Sequence, residues 1–270
     1  MSAAWPKKIK RVVPAPVRRW LRRRWHGAIF SGDFPSWAAA RAASGGYDAE
    51  VIFQRTLAAA RAVRDGRAAW ERDTVLFHEP ATHAPLLEAL RAAANANGGR
   101  LSVLDFGGAL GSTWWQHRAW LGEFAEVRWS VVEQPRLVAV GREEFARGPL
   151  RFYETIEACC TAERPGVVLL SAVLPYLGEP HALVREIAGR DFRRVIIDRT
   201  GFVTRGRDRL TVQRVPASIY EASYPCRFFD REKLLAPFAR GWRVAAEWPT
   251  FDQADIAAEY RGLLLEKIGT

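Results

Sequence analysis

From Arg100 onward the sequence alternates short apolar runs with helix-length segments, and this alternation restricts the fold more than any other feature. The runs Leu101 to Phe106, Val127 to Val132, Val167 to Leu170 and Val195 to Ile197 are apolar at successive positions, as strands buried on both faces require. Strands separated by helices pair in parallel through right-handed crossovers. The expected architecture is therefore a doubly wound α/β domain with a mostly parallel sheet. Two later runs, Trp242 to Trp248 and Gly262 to Ile268, lie close enough in sequence to pair antiparallel and close the sheet at its edge.

Ahead of the first strand the pattern is helical. Asp48 suits an N-cap for a helix whose Ile52, Thr56, Ala59 and Val63 share one face, and Gly66 ends it. A second helical region is expected over Ala68 to Ala94, broken near Pro80 and stopped at Gly98 and Gly99. Nearer the start, Val17, Trp20, Leu21 and Trp25 fall at helical spacing among Arg18, Arg19, Arg22 and Arg23, which describes a basic amphipathic helix. The expected organisation is a basic leader over 1–29, a helical cap over 30–99, and the sheet domain over 100–270 with an insertion at about 199–229.

Charge narrows the partners. The net charge of +10 comes from nine basic residues between Lys7 and Arg24; without them 31 basic side chains face 30 acidic ones. A nearly neutral body argues against nucleic acid as the substrate. Residues 7–25 can lie on an anionic membrane surface, each basic residue contributing ~1 kcal/mol; a solvated leader whose tryptophans pack on the domain stays open as the alternative. No apolar run reaches the ~18 to 20 residues of a membrane span, and the first 30 residues lack the apolar centre of a secretory signal. A cytoplasmic location is expected. Cys159, Cys160 and Cys226 show neither a C-x-x-C spacing nor a His-Cys pairing, so no disulfide framework or metal site is expected.

The first strand runs directly into a glycine-rich turn, Asp105-Phe106-Gly107-Gly108-Ala109-Leu110-Gly111-Ser112. Glycine belongs there because a Cβ would obstruct both the tight bend and the approach of a ligand to the backbone. The spacing excludes a dinucleotide fingerprint in either frame, since Ala109 and Ser112, or Leu110 and Thr113, occupy positions where glycine is required. No G-K-[ST] follows, which excludes a phosphate-cradling loop.

The segment resembles instead the first motif of class I S-adenosylmethionine-dependent methyltransferases, an acidic and a hydrophobic residue followed by G-x-G-x-G, with Ala109 in place of the middle glycine. The resemblance implies a seven-stranded sheet and S-adenosylmethionine as cofactor. It implies that Asp105, Gly107, Gly108, Ala109 and Gly111 cradle the cofactor and that Glu133, with Gln134 beside it after the second strand, bonds the ribose hydroxyls. Ser171 and Ala172 would line cofactor and substrate after the fourth strand. Phe30-Ser31-Gly32-Asp33-Phe34-Pro35-Ser36-Trp37, Glu71-Arg72-Asp73, Asp198-Arg199-Thr200 and Tyr224-Pro225-Cys226, together with the turn and Val132-Glu133-Gln134, are similar to a family of methyltransferases, mostly uncharacterised, whose genes often sit among those for bacterial surface polysaccharides. A glycan, glycolipid precursor or small-molecule acceptor is what that likeness implies; a catalytically silent domain of the same fold, serving as a scaffold or binding module at the membrane surface, stays open as the alternative. Ser171-Ala172-Val173-Leu174-Pro175-Tyr176 is not the D/N-P-P-Y signature of DNA amino-methylation.

Methyl transfer needs alignment, exclusion of water and often removal of a proton. Asp198 and Asp73 are candidate bases, with Tyr176 and Glu71 as weaker ones; Asp198 as a structural partner of Arg199 stays open beside its catalytic role. His117 reads as a packing or surface residue, and none of the five histidines has an obvious catalytic partner. Arg199, Tyr220 and Tyr224 in the insertion, and Trp114 after the glycine turn, are candidate acceptor contacts; a hairpin that packs for stability is the other reading of the insertion.

Overall fold

A computed structural model describes residues 29–45, 49–215 and 222–269. Residues 1–28 of the basic leader, the expected N-cap Asp48 and Tyr220 lie outside the described residues.

The sheet is built from β4 (Arg100–Phe106), β5 (Glu126–Val132), β6 (Leu150–Tyr153), β7 (Val167–Ser171), β8 (Arg194–Val203), β11 (Trp242–Pro249) and β12 (Ala258–Lys267), in the order β6-β5-β4-β7-β8-β12-β11. β4 to β8 are parallel, and β12 runs antiparallel between β8 and β11. This is the doubly wound, mostly parallel seven-stranded sheet that the sequence leads one to expect. β11 and β12 close the sheet as the antiparallel edge pair that the sequence leads one to expect, with β11 outermost and β12 buried on both faces, Leu263 and Leu265 on one and Leu264 on the other. β6 escapes the search for apolar runs because it is a short edge strand in which Leu150 and Phe152 are buried and Arg151 is exposed.

Strand alternation divides the core. Val167, Leu169 and Ile196 face a layer made by α2 (Ala49–Arg64), α3 (Ala84–Asn95), α4 (Ser112–Leu121) and α5 (Pro135–Val140). Val168, Leu170, Val195 and Ile197 face α6 (Ile156–Glu163), α7 (Pro180–Gly189) and α8 (Arg231–Leu235). Ala59 and Val63 turn inward from α2 as the helical spacing predicts. In the sequence, α1 (Trp37–Ala43) precedes these helices, capped by the Ser36 hydroxyl.

Of the helical region expected over Ala68 to Ala94 with a break near Pro80, the part before the break is corrected. Trp70–Arg72 (β2) and Val75–Phe77 (β3) form a hairpin, and helix resumes only at Ala84. Its turn places Asp73 and Thr74 at φ +50° and +69°, the hand that matches strand twist, and stacks Trp70 on Phe77 with centroids 3.9 Å apart. The sequence Asp-Thr carries no glycine to announce such a turn. After β8, β9 (Arg209–Arg214) and β10 (Ser223–Phe228) form a hairpin that β1 (Phe30–Ser31) extends to a second, three-stranded sheet.

Candidate functional site

Strand order reverses beside β4, between β5 and β7, and ligands of doubly wound sheets bind at the carboxyl ends of strands flanking such a reversal. The left-handed backbone needed there is conspicuous. Gly107 and Gly111 lie at φ +72° and +87°, and three non-glycine residues share that region just after neighbouring strands or within their ends: Ala109 (+51°), Ala172 (+55°) and Arg199 (+51°). Such strain costs of order 1–3 kcal/mol per residue and concentrates where a site fixes the chain.

Space at the bend is fully used. A Cβ on Gly107 would stand 2.4 Å from Val173, and one on Gly108 would stand 2.5 Å from the Asp105 carboxylate. Gly107 N–H donates to the Val132 carbonyl at 2.9 Å, tying the turn to the end of β5. There Glu133 accepts from Ala109 N–H at 3.3 Å and from Gln134 N–H at 2.8 Å. Burial raises the Glu133 pKa, and the two amide bonds oppose that rise. Its two carboxylate oxygens have more lone pairs than these amides use. α4 opens on Gly111 with no side-chain cap, which leaves first-turn amides facing the same bend. The Gln134 side chain is exposed, so its contribution here is the backbone amide.

Asp105 does not belong to the surface of this cleft. It is 1% exposed, accepts from the Trp129 indole at 3.0 Å, and burial pushes its carboxyl up to about 7. Its part is to support the turn from beneath.

Asp198 has its carboxylate engaged on three sides. It is fully buried and shares its carboxylate among the Trp248 indole (3.0 Å), the Ser171 hydroxyl (3.3 Å) and His83 Nε2 (3.2 Å). Asp198 follows Ile196 by two residues and so points to the same face of the sheet, where the N-terminus of α3 brings His83. A proton on Nε2 is what the carboxylate calls for, leaving the lone pair on Nδ1. Sequence inspection misses His83 because its partner lies 115 residues away. Ser171 is thereby turned to Asp198, and Ala172 N–H donates to the Asp198 carbonyl at 3.0 Å.

Around this pair, Phe251 is 47% exposed, with the His83 ring 6.1 Å, the Arg72 guanidinium 3.9 Å and the Arg199 guanidinium 5.1 Å from its centroid. Arg199 is held by Asp252 at 3.0 and 3.1 Å, with Asp73 at 3.5 Å. Asp73 thus stands on the exposed hairpin turn, paired with Arg199 and not with a reacting group. Glu71 accepts from the Ser112 hydroxyl and, at 3.3 Å, from Thr74 N–H, which docks the hairpin on the start of α4; burial raises its pKa. His117 is buried beneath, its pKa lowered to about 4 by burial and by His83 and Arg72.

Three expected residues are engaged in packing contacts. The Tyr176 hydroxyl donates to Gln213 Oε1 at 2.9 Å and its ring meets Tyr224 edge-on at 5.5 Å, so both tyrosines brace β9 and β10. Trp114 is 8% exposed and packs on Trp115. Helical spacing aligns it with Arg118 and Leu121 along a cavity of about 550 Å³ at the amino ends of β5 and β6, the edge opposite the glycine turn.

No family model and no curated protein matches the sequence. Among solved structures, the chain is similar to the N-terminal domain of EvdMO1 crystallised in the presence of SAH and D-fucose, at 17% identity and a TM-score of 0.45, over 82% of this chain and 97% of that one. It is similar to Burkholderia thailandensis 1,6-didemethyltoxoflavin-N1-methyltransferase with bound 1,6-didemethyltoxoflavin and S-adenosylhomocysteine, at 18% identity and 0.42, over 84% and 95%. It is also similar to magnesium protoporphyrin IX methyltransferase from Synechocystis PCC 6803 with bound SAM, at 16% identity and 0.44, over 99% and 100%. At such identities the likeness concerns the fold alone. Among the described residues no helix is long and apolar enough to cross a membrane.

Proposed function

We propose that this protein is an S-adenosylmethionine-dependent methyltransferase acting on an oxygen of a glycan, glycolipid precursor or related small molecule. The observation that carries the reading is the Glu133 carboxylate held against Ala109 N–H at the mouth of a bend without room for side chains. A carboxylate there accepts from paired ribose hydroxyls and repels a phosphate, which suits an adenosine cofactor lacking one.

Bound S-adenosylmethionine supplies an activated methyl group. The chain's own residues bind, orient and accept a proton. Glu133 and the turn amides hold the adenosine end. β8 lies two strands from β4, ~10 Å away at the usual strand spacing, and there Asp198 holds His83 through Nε2. A hydroxyl acceptor is a poor nucleophile until its proton leaves, and an imidazole oriented by a buried carboxylate is suited to take it. Asp198 serves as the positioning residue, and Trp248 and Ser171 fix its carboxylate in turn.

Calorimetric titration with S-adenosylhomocysteine tests the reading. Binding of one molecule per chain is expected; failure of both S-adenosylhomocysteine and S-adenosylmethionine to bind would remove it.

A further inference from the structure

One charge in the site has no use in the scheme above. The Arg72 guanidinium is packed against two rings, 4.7 Å from the centroid of Trp70 and 3.9 Å from that of Phe251. Among the described residues it makes no hydrogen bond and no ion pair. Its neighbours are already engaged. Asp252 takes Arg199 and the Thr250 hydroxyl, Asp198 takes His83, Trp248 and Ser171, and Asp73 faces Arg199. Burial, and then the like charge of Arg199, pull the Arg72 pKa down to about 10 against the opposing charges of Asp252, Asp73 and Asp198, none of which bonds to it. Arg72 is half-buried and no group of the described residues accepts from it, so its donors are left to solvent or to a ligand that can accept from them.

The shape of the unmet group says what would. Rings against its faces leave the donor edge, and that planar fork matches a carboxylate or phosphate in two parallel bonds. Phe251 is shared with His83, so a group on Arg72 stands beside the proposed proton acceptor. Glu133 follows β5, whereas Phe251 and Arg199 lie by β8, three strands along the sheet, ~14 Å away. That places the fork beyond the ribose end of the cofactor.

We infer that Arg72 is the anion receptor of the acceptor pocket, taking a carboxylate or phosphate of the molecule to be methylated, so that the acceptor is acidic. The word acceptor rests on the methyltransferase reading; the anion site itself does not. The other source of the same chemistry is the amino-acid carboxylate of the cofactor.

The test compares the full chain with Arg72→Gln and Arg72→Lys, their folding checked by circular dichroism melts. Binding of D-glucuronate and of inorganic phosphate to the S-adenosylhomocysteine-saturated protein is followed by NMR, and S-adenosylhomocysteine and 5′-methylthioadenosine, which lacks the carboxylate, are titrated separately. Arg72→Gln is expected to weaken glucuronate or phosphate about tenfold or more while leaving both nucleosides unchanged, with Arg72→Lys between. Loss of S-adenosylhomocysteine affinity with 5′-methylthioadenosine unaffected would assign Arg72 to the cofactor and overturn the inference, as would anion binding indifferent to either substitution. A protein that binds no S-adenosylhomocysteine but still binds phosphate through Arg72 would keep the anion site and discard the methyltransferase reading.

Discussion

Replacing Asp105 with Asn should stabilise the protein in a pH-dependent way. Asp105 is 1% exposed under Gly108, and burial raises its carboxyl from 3.8 to about 7, with the Trp129 bond opposing and Glu133 adding to the rise. Between those values the folded protein holds a proton that the unfolded chain has released. Stability from this group is therefore fully present below about pH 4 and declines by ~1.4 kcal/mol per pH unit until about pH 7. The Asp105→Asn variant would carry no such dependence, and the amide oxygen of its new side chain can still accept from the Trp129 indole. Urea unfolding of both proteins from pH 5 to 8 should show the gap widening in favour of Asp105→Asn by ~3 kcal/mol. A gap that does not change with pH would refute the assignment of a neutral, buried carboxyl.

Three further outcomes follow from contacts at the carboxyl edge. Gly262→Ala places a Cβ 2.0 Å from Trp248 Nε1, so the indole must leave Asp198; thermal melts should show a loss of ~2 to 4 kcal/mol, and an unchanged melting temperature would contradict the packing. Gly107→Ala combines φ +72° with a Cβ 2.4 Å from Val173 and should cost ~2 kcal/mol or more, part of which Val173→Ala restores in a double-mutant cycle; additivity would contradict the contact. His83→Ala should lower methyl transfer ~10²- to 10⁴-fold with S-adenosylhomocysteine affinity unchanged by calorimetry, and retained turnover would dismiss His83 as the base.

The sheet was legible because its inner strands are apolar on both faces, and the glycine turn because its residues must be small. Glu133 was singled out by the resemblance, which requires an acidic residue at the end of the second strand, and the apolar run through Val131 and Val132 located that end. The hairpin at Trp70 to Phe77 was not legible: its turn uses Asp73 and Thr74 in a left-handed conformation that their residue types do not advertise, and its strands are three residues each. That error hid the cleft's other wall, since Glu71 and Arg72 reach the site only on a strand folded back over α4. Asp105 and Asp198 were recognised as notable carboxylates, but burial decides their work, and burial depends on Trp129 and Trp248 arriving from other strands. His83 needed Asp198, and Phe251 needed a loop after β11; such pairings arise from the tertiary fold alone.

The proposed hold of Glu133 on a cofactor ribose is tested most directly by titrating S-adenosylhomocysteine and its 2′-deoxy analogue into the native protein and Glu133→Ala. A charge-assisted hydrogen bond is worth ~1.5–3 kcal/mol, roughly 10- to 100-fold in affinity. Loss of the hydroxyl should cost about that much in the native protein and little in Glu133→Ala. Equal losses in both proteins would contradict it.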